Sequence, residues 1–229
     1  MFSIAIYDKQ EPNLIKDLVQ DYIVEHEIVI KISVFNSIEE ILLAPASYDI
    51  YIMDNSSLLM AKQIIDMDAG SRVLMIGDTV EEGYMASEIG IEYFLLRPIR
   101  KDMFFKILMK IKKQIKENSI VIKTSFGEKR VKLNNLNYID IVKRCLCYHL
   151  KDGSILDGQT LRTSFEKAIT PLDQHEALLF LPPSMLINLE QIDELHDDHV
   201  VFEDKSMCYF PKKARDIVKE RWHRYLNIE

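Results

Sequence analysis

Two groups of residues in this chain are of types that do chemistry. The first is a set of residues that each follow a short apolar run. Asp8 follows SIAIY, Asp54 follows YDIYIM, Gly77 follows RVLMI and Arg97 follows YFLL. Where such runs are parallel strands, ligands meet the sheet at the strands' carboxyl ends, which is where these four residues would stand. The second group is basic. Between Lys205 and Arg224 stand seven bases (Lys205, Lys212, Lys213, Arg215, Lys219, Arg221, Arg224) against two acids, Asp216 and Glu220, on a chain of net charge −7. A local surplus of Lys and Arg on an acidic chain suits phosphate binding, and a solvated helix face explains it equally well.

Other reactive residue types form weaker patterns. The six histidines are scattered, and only His196-Asp197-Asp198-His199 has a spacing that invites a metal. It lies where a polar turn between strands is expected, so the solvated-turn reading is preferred. No glycine-rich phosphate loop or nucleophile elbow occurs. Ser56-Ser57 reads as a helix start. An enzyme is not expected. Cys145, Cys147 and Cys208 are odd in number, which argues against a disulfide framework, and they read as small apolar core residues.

The elements that must position these residues fall into two patterns. From residue 1 to about 116, short apolar runs alternate with stretches of helical periodicity. Five strands and five helices in alternation indicate an α/β doubly wound parallel sheet. From 117 to 229 the runs shorten and turns such as Lys151-Asp152-Gly153 intervene, which indicates a mainly antiparallel β domain with short helices. One helix is expected over Thr160–Ile169 and a basic one over Lys212–Tyr225. No apolar run approaches membrane-span length, and the N-terminus lacks a basic, then apolar, leader pattern. A cytoplasmic protein with no membrane partner is the expectation.

The first half resembles the response-regulator receiver family, with its flavodoxin-like fold, on IAIYDKQEP, YDIYIMDNSS and YFLLRPI. That resemblance implies a sensor histidine kinase as partner, Asp54 as phosphoacceptor, and Mg²⁺ held by Asp8 and Asp54. A carboxylate attacking phosphorus meets charge repulsion, which a hard cation and fixed positive groups offset. Three positions depart from the family. Lys9 replaces the second acid, Gly77 the hydroxyl residue and Arg97 the lysine. Lys9 is expected to weaken Mg²⁺ binding and to pair with Asp54, a pair worth about 4 kcal/mol of Coulomb energy before desolvation. Phe94 falls at the family's switch aromatic, and an ordinary half-buried aromatic is the plain alternative. Three readings stay open: a degenerate receiver that dimerises without phosphorylation, a receiver phosphorylated with altered kinetics, and a structural Asp54.

The second half resembles the LytTR family on VKLNNLNYIDIVKR, QTLRTSFEKAI, SMLINLEQIDEL and VVFEDKSMCYFPKKAR. This implies a transcription regulator of a two-component or peptide-signalling system, binding double-stranded DNA as a homodimer on promoter direct repeats. The implied DNA-contacting positions are Lys143 and Arg144, the segment before Ser184 with Ser184 itself, and Lys212, Lys213 and Arg215. Pro182-Pro183 stands where the family carries polar base contacts and supplies neither charge nor a backbone donor. Asn188 reads as a core-edge hydrogen-bonding residue. The competing reading is a regulatory decoy that binds no DNA and heterodimerises with an active homologue.

Overall fold

A computed structural model describes residues 2–44, 48–68, 70–170, 172 and 175–227. The chain divides into two compact units, Met1–Glu117 and Asn118–Glu229. No helix among the described residues is long and apolar enough to cross a membrane.

The first unit alternates strand and helix: β1 Phe2–Tyr7, α1 Pro12–Glu25, β2 Ile30–Val34, α2 Ile38–Leu42, β3 Ile50–Asp54, α3 Leu58–Met67, β4 Arg72–Gly77, α4 Val80–Glu88, β5 Tyr93–Leu96 and α5 Lys101–Glu117. All strand pairs are parallel, in the order β2-β1-β3-β4-β5. The apolar runs are continuous because both faces are covered. Alternation sends Ile4, Ile6, Ile52, Leu74 and Ile76 to one face, against Ile15 of α1 and Phe104, Leu108 and Ile111 of α5. It sends Ala5, Tyr7, Tyr51, Met53 and Met75 to the other, against Met60, Ala61 and Ile64 of α3 and Ala86 of α4.

Local signals set the helix ends. Pro12 opens α1. Thr79 and Glu82 form a reciprocal capping box at α4. Gly90, at φ +87°, supplies the left-handed residue just past the end of α4.

The second unit contains β6 Ser119–Thr124, β7 Gly127–Lys132, β8 Leu136–Val142, β9 Cys145–Leu150, β10 Ile155–Thr160, α6 Phe165–Ile169, β11 Leu178–Leu181, β12 Met185–Asn188, β13 Ile192–Leu195, β14 His199–Phe202, β15 Met207–Tyr209 and α7 Arg215–Tyr225. Its strands form a seven-stranded sheet, β11-β12-β8-β9-β10-β6-β7, and a three-stranded sheet, β13-β14-β15. Every pairing is antiparallel.

The helix expected over Thr160–Ile169 is shorter than its periodicity suggests. Thr160 pairs with Cys145 as the last residue of β10, and helix begins only after Ser164, whose hydroxyl accepts the Lys167 N–H at 3.4 Å. The basic helix likewise starts later, at Arg215, because Lys212–Ala214 forms a 3-10 turn.

Asn188 is fully buried and ties the sheet to the preceding loop. Its Nδ2 donates to the Leu133 and Leu136 carbonyls at 2.9 and 2.8 Å, and its Oδ1 accepts the Glu190 N–H at 3.2 Å. It is the core-edge residue that its polarity in an apolar run suggests.

Candidate functional site

The parallel sheet brings Asp8, Asp54, Gly77 and Arg97 to one edge. Tyr7 pairs with Met53, Asp54 with Ile76, and Gly77 with Leu96. Asp8 and Asp54 are buried. Asp8 Oδ1 accepts the backbone N–H groups of Gln10 and Glu11 at 2.9 and 2.6 Å. Asp8 Oδ2 accepts Nη2 of Arg97. The Arg97 side chain is only 9% exposed, and its Nε lies 3.7 Å from Glu11 and 3.9 Å from Asp78.

Asp54 Oδ2 accepts the Lys9 backbone N–H at 2.7 Å. Its Oδ1 accepts the hydroxyls of Ser56 and Ser57 at 2.5 and 3.2 Å.

The expected pairing of Asp54 with the Lys9 ammonium is therefore corrected. Lys9 is exposed and makes no ion pair within 4 Å among the described residues; its main chain serves Asp54 instead. An ammonium is strongly hydrated and stays in water, whereas the weakly hydrated, forked guanidinium of Arg97 suits burial against a carboxylate. The pocket cation is Arg97, and its partner is Asp8.

This donor set does not fit the Mg²⁺ that the receiver resemblance implies. Both oxygens of each buried carboxylate already accept hydrogen bonds, and one of them faces a guanidinium. The position of the second acid is Lys9, directed to solvent. Among the described residues no group of three or more His, Cys, Asp or Glu is placed to hold a metal ion.

Phe94 is half-buried, and its ring lies over two glycines. A β-carbon on Gly77 would stand 2.7 Å from Cζ of Phe94, and one on Gly83 3.0 Å from Cδ1. The ring, together with the Glu82 carboxylate, thus fills the space beside β4 that a side chain at position 77 needs.

The second unit gathers its candidate residues at one end. Lys143 and Arg144 are the two central residues of the β8–β9 turn, at φ +50° and +65°. Positive φ at both positions matches the twist of a two-residue hairpin and usually calls for Asn-Gly. Both side chains are exposed. Leu186 pairs antiparallel with Ile139, which carries the β11–β12 turn to the same end. There Pro182 and Pro183 are exposed and Ser184 is half-buried.

The three-stranded sheet orients the third segment. Its β14–β15 turn meets the opposite end, where Lys151 bonds Glu203 at 2.5 Å and Asn137 bonds Asp204 at 2.9 Å. Cys208 of β15 lies 3.4 Å from Met185, at the start of β12. The 196–198 turn and the Lys212–Arg215 segment therefore lie toward the Lys143 end.

Four of the basic residues there, Lys143, Arg144, Lys212 and Lys213, are exposed and have no ion pair within 4 Å among the described residues. Arg215 differs: its Nε is 3.0 Å from Asp197, and its Nη1 is 3.7 Å from Asp216. The role of Asp197 was hidden in the sequence because nothing in its spacing links it to a helix eighteen residues on.

His196 and His199 stack at 4.4 Å with planes 6° apart. Each has its own carboxylate, Glu194 at 3.1 Å and Asp198 at 2.8 Å. The bond from His199 holds the Asp198 carboxyl below its ordinary range.

No protein-family model matches the chain, and no curated protein matches it. The solved structures that resemble it are response-regulator receiver domains, over the N-terminal half. The BeF3-activated DrrB receiver domain overlaps with a TM-score of 0.43 at 14% identity, covering 49% of this chain and 98% of that one. A response regulator from Thermotoga maritima gives 0.42 at 15%, covering 49% and 98%. A LuxR-family DNA-binding response regulator from Silicibacter pomeroyi gives 0.42 at 15%, covering 49% and 93%. These likenesses are at low identity and span half of the chain, and the geometry of the pocket and turns stands without them.

Proposed function

We propose that this chain is a transcription regulator of the response-regulator kind, in which a receiver-like unit governs a LytTR-type unit that binds double-stranded DNA. The observation that carries this reading is the convergence of the Lys143-Arg144 turn, the Ser184 turn and the Lys212–Arg215 segment on one end of the second unit. Exposed lysines and arginines on turn tips suit phosphate contacts, which supply most of the affinity. Lys143 and Arg144 also have the reach and donors for a guanine N7/O6 edge. Pro182-Pro183 is apolar and fits only shape or a thymine methyl. In this reading the protein acts as a homodimer on direct repeats in promoters, in the cytoplasm, with a degenerate receiver-like unit that works without phosphorylation of Asp54.

Mobility shifts of the full chain, on duplexes selected from a random pool and on unselected duplexes, test the proposal at two salt concentrations. The expected result is a preference for selected sequences and weaker binding at higher salt. Equal retention of all duplexes, indifferent to salt, would refute it. A decoy that heterodimerises with an active homologue is favoured by two features: the charge-free Pro182-Pro183 tip and the engagement of Arg215 by Asp197. Native mass spectrometry showing heterodimers, together with no DNA footprint, would establish that reading instead.

A further inference from the structure

The carboxylate pocket of the first unit contains its own cation. We propose that the Arg97 guanidinium is a built-in occupant of the place of a divalent metal ion, so that Asp8 is paired by the protein itself and the pocket excludes the metal. This property belongs to the pocket alone and does not depend on DNA binding.

Two buried carboxylates at adjacent strand ends are costly unless paired. In this chain Asp8 is paired by Arg97, whose side chain is only 9% exposed. The remaining positive charge of Arg97 is shared with Glu11 and Asp78, at 3.7 and 3.9 Å from Nε. Asp54 is served by three neutral donors, the Lys9 amide and the hydroxyls of Ser56 and Ser57. Neither carboxylate presents an oxygen without a donor, and a hard dication needs several oxygens turned toward one point. A metal would have to displace the guanidinium, leaving a buried positive charge unpaired beside it. Both effects oppose entry.

The neighbouring aromatic reinforces the arrangement. Phe94 sits against Gly77 and Gly83, and the Glu82 carboxylate also lies against Gly77, so the space a hydroxyl side chain would use to hold an anion beside Asp54 is filled by an apolar ring and an acid. Lysine in place of Arg97 would be a point charge able to withdraw into water; the guanidinium is held in the pocket by the single hydrogen bond it makes among the described residues, from its Nη2 to Asp8.

The test uses the full-length protein and Mn²⁺ as a paramagnetic stand-in for Mg²⁺, with free Mn²⁺ read by electron paramagnetic resonance. The native chain is expected to take up no Mn²⁺ that is sensitive to Asp54→Asn. Arg97→Gln should expose Asp8 and bind Mn²⁺ at least tenfold more tightly than the native chain, with the gain lost in Arg97→Gln/Asp54→Asn. Native uptake of Mn²⁺ that disappears in Asp54→Asn would overturn the proposal. So would a folded Arg97→Gln protein, verified by circular dichroism, that gains no Mn²⁺ affinity. Should Arg97→Gln fail to fold, the native chain and its Asp54→Asn variant decide between the two outcomes. DNA affinity of the same preparations is scored separately, so failure of the metal inference is distinguishable from failure of the DNA reading.

Discussion

Phe94 shares with the Glu82 carboxylate the place of a side chain at Gly77: a β-carbon on that glycine would collide with Glu82 Oε2 and lie 2.7 Å from Cζ of the ring. The two positions, on adjacent strands, are therefore coupled through volume. Gly77→Ser is expected to destabilise the protein by about 1–3 kcal/mol through overpacking. In a Phe94→Ala background the same substitution should cost less, with a coupling of roughly 1 kcal/mol. Urea unfolding of the four proteins measures this. Additive effects would show that the Glu82 carboxylate, and not the ring, limits the space at position 77.

Arg215 is the basic residue at the candidate DNA end that an acid already engages, Asp197 at 3.0 Å. The pair is partly exposed, at 40% and 78%, so its strength is small. Asp197→Asn should release the guanidinium and remove one repulsive charge, raising DNA affinity about twofold to fivefold. Fluorescence anisotropy with a labelled duplex at fixed salt reads this directly. A weaker-binding variant would mean that Asp197 orients Arg215 rather than restraining it.

Burial pushes the Cys147 thiol up to about 11 and the Cys208 thiol up to about 12. Both ionise near 9.0 when unfolded. Between these limits the unfolded chain releases protons that the folded chain keeps. Their contribution to stability is therefore complete below pH 9 and is lost as pH rises toward 11 and then 12. The urea midpoint should fall from about pH 9 upward, with a shallower fall in Cys208→Ala. At about pH 8 a thiol reagent should react quickly with the half-buried Cys145 and slowly with buried Cys147 and Cys208. Three equally fast thiols in the native protein would contradict the packing.

Acetyl phosphate with Mg²⁺ is expected to leave the intact mass of the native chain unchanged, as it should that of Asp54→Ala. The buried Asp54 carboxylate accepts three hydrogen bonds, and its neighbour Asp8 is committed to Arg97. A phosphoryl adduct present in the native chain and absent from Asp54→Ala would show that the pocket opens to the donor.

The parallel sheet was legible because burial on both faces writes itself as uninterrupted runs such as SIAIY and YIM, and strand ends then place Asp8, Asp54, Gly77 and Arg97 by topology alone. Asn188 was legible for a similar reason: one amide in an apolar run must find carbonyls, and it finds those of Leu133 and Leu136. Contacts between distant elements were not legible. Lys9 was expected to act through its ammonium, whereas its backbone donates to Asp54, a choice set by which way the chain turns after β1. The match of Phe94 to Gly77 and Gly83 depends on the offset between β4, α4 and β5. The end of β10 at Thr160 was hidden because its pairing with Cys145 overrides a helical pattern that starts there.

The most direct measurement is the salt dependence of DNA affinity in the full chain, compared with a variant carrying Lys143→Ala, Arg144→Ala, Lys212→Ala and Lys213→Ala. If these four exposed cations neutralise phosphates, the variant should bind more weakly. Its plot of log affinity against log salt should also be flatter by up to about 3.6, roughly 0.9 for each phosphate no longer neutralised. A folded variant with the same affinity and the same slope as the native chain would show that these turns do not meet DNA.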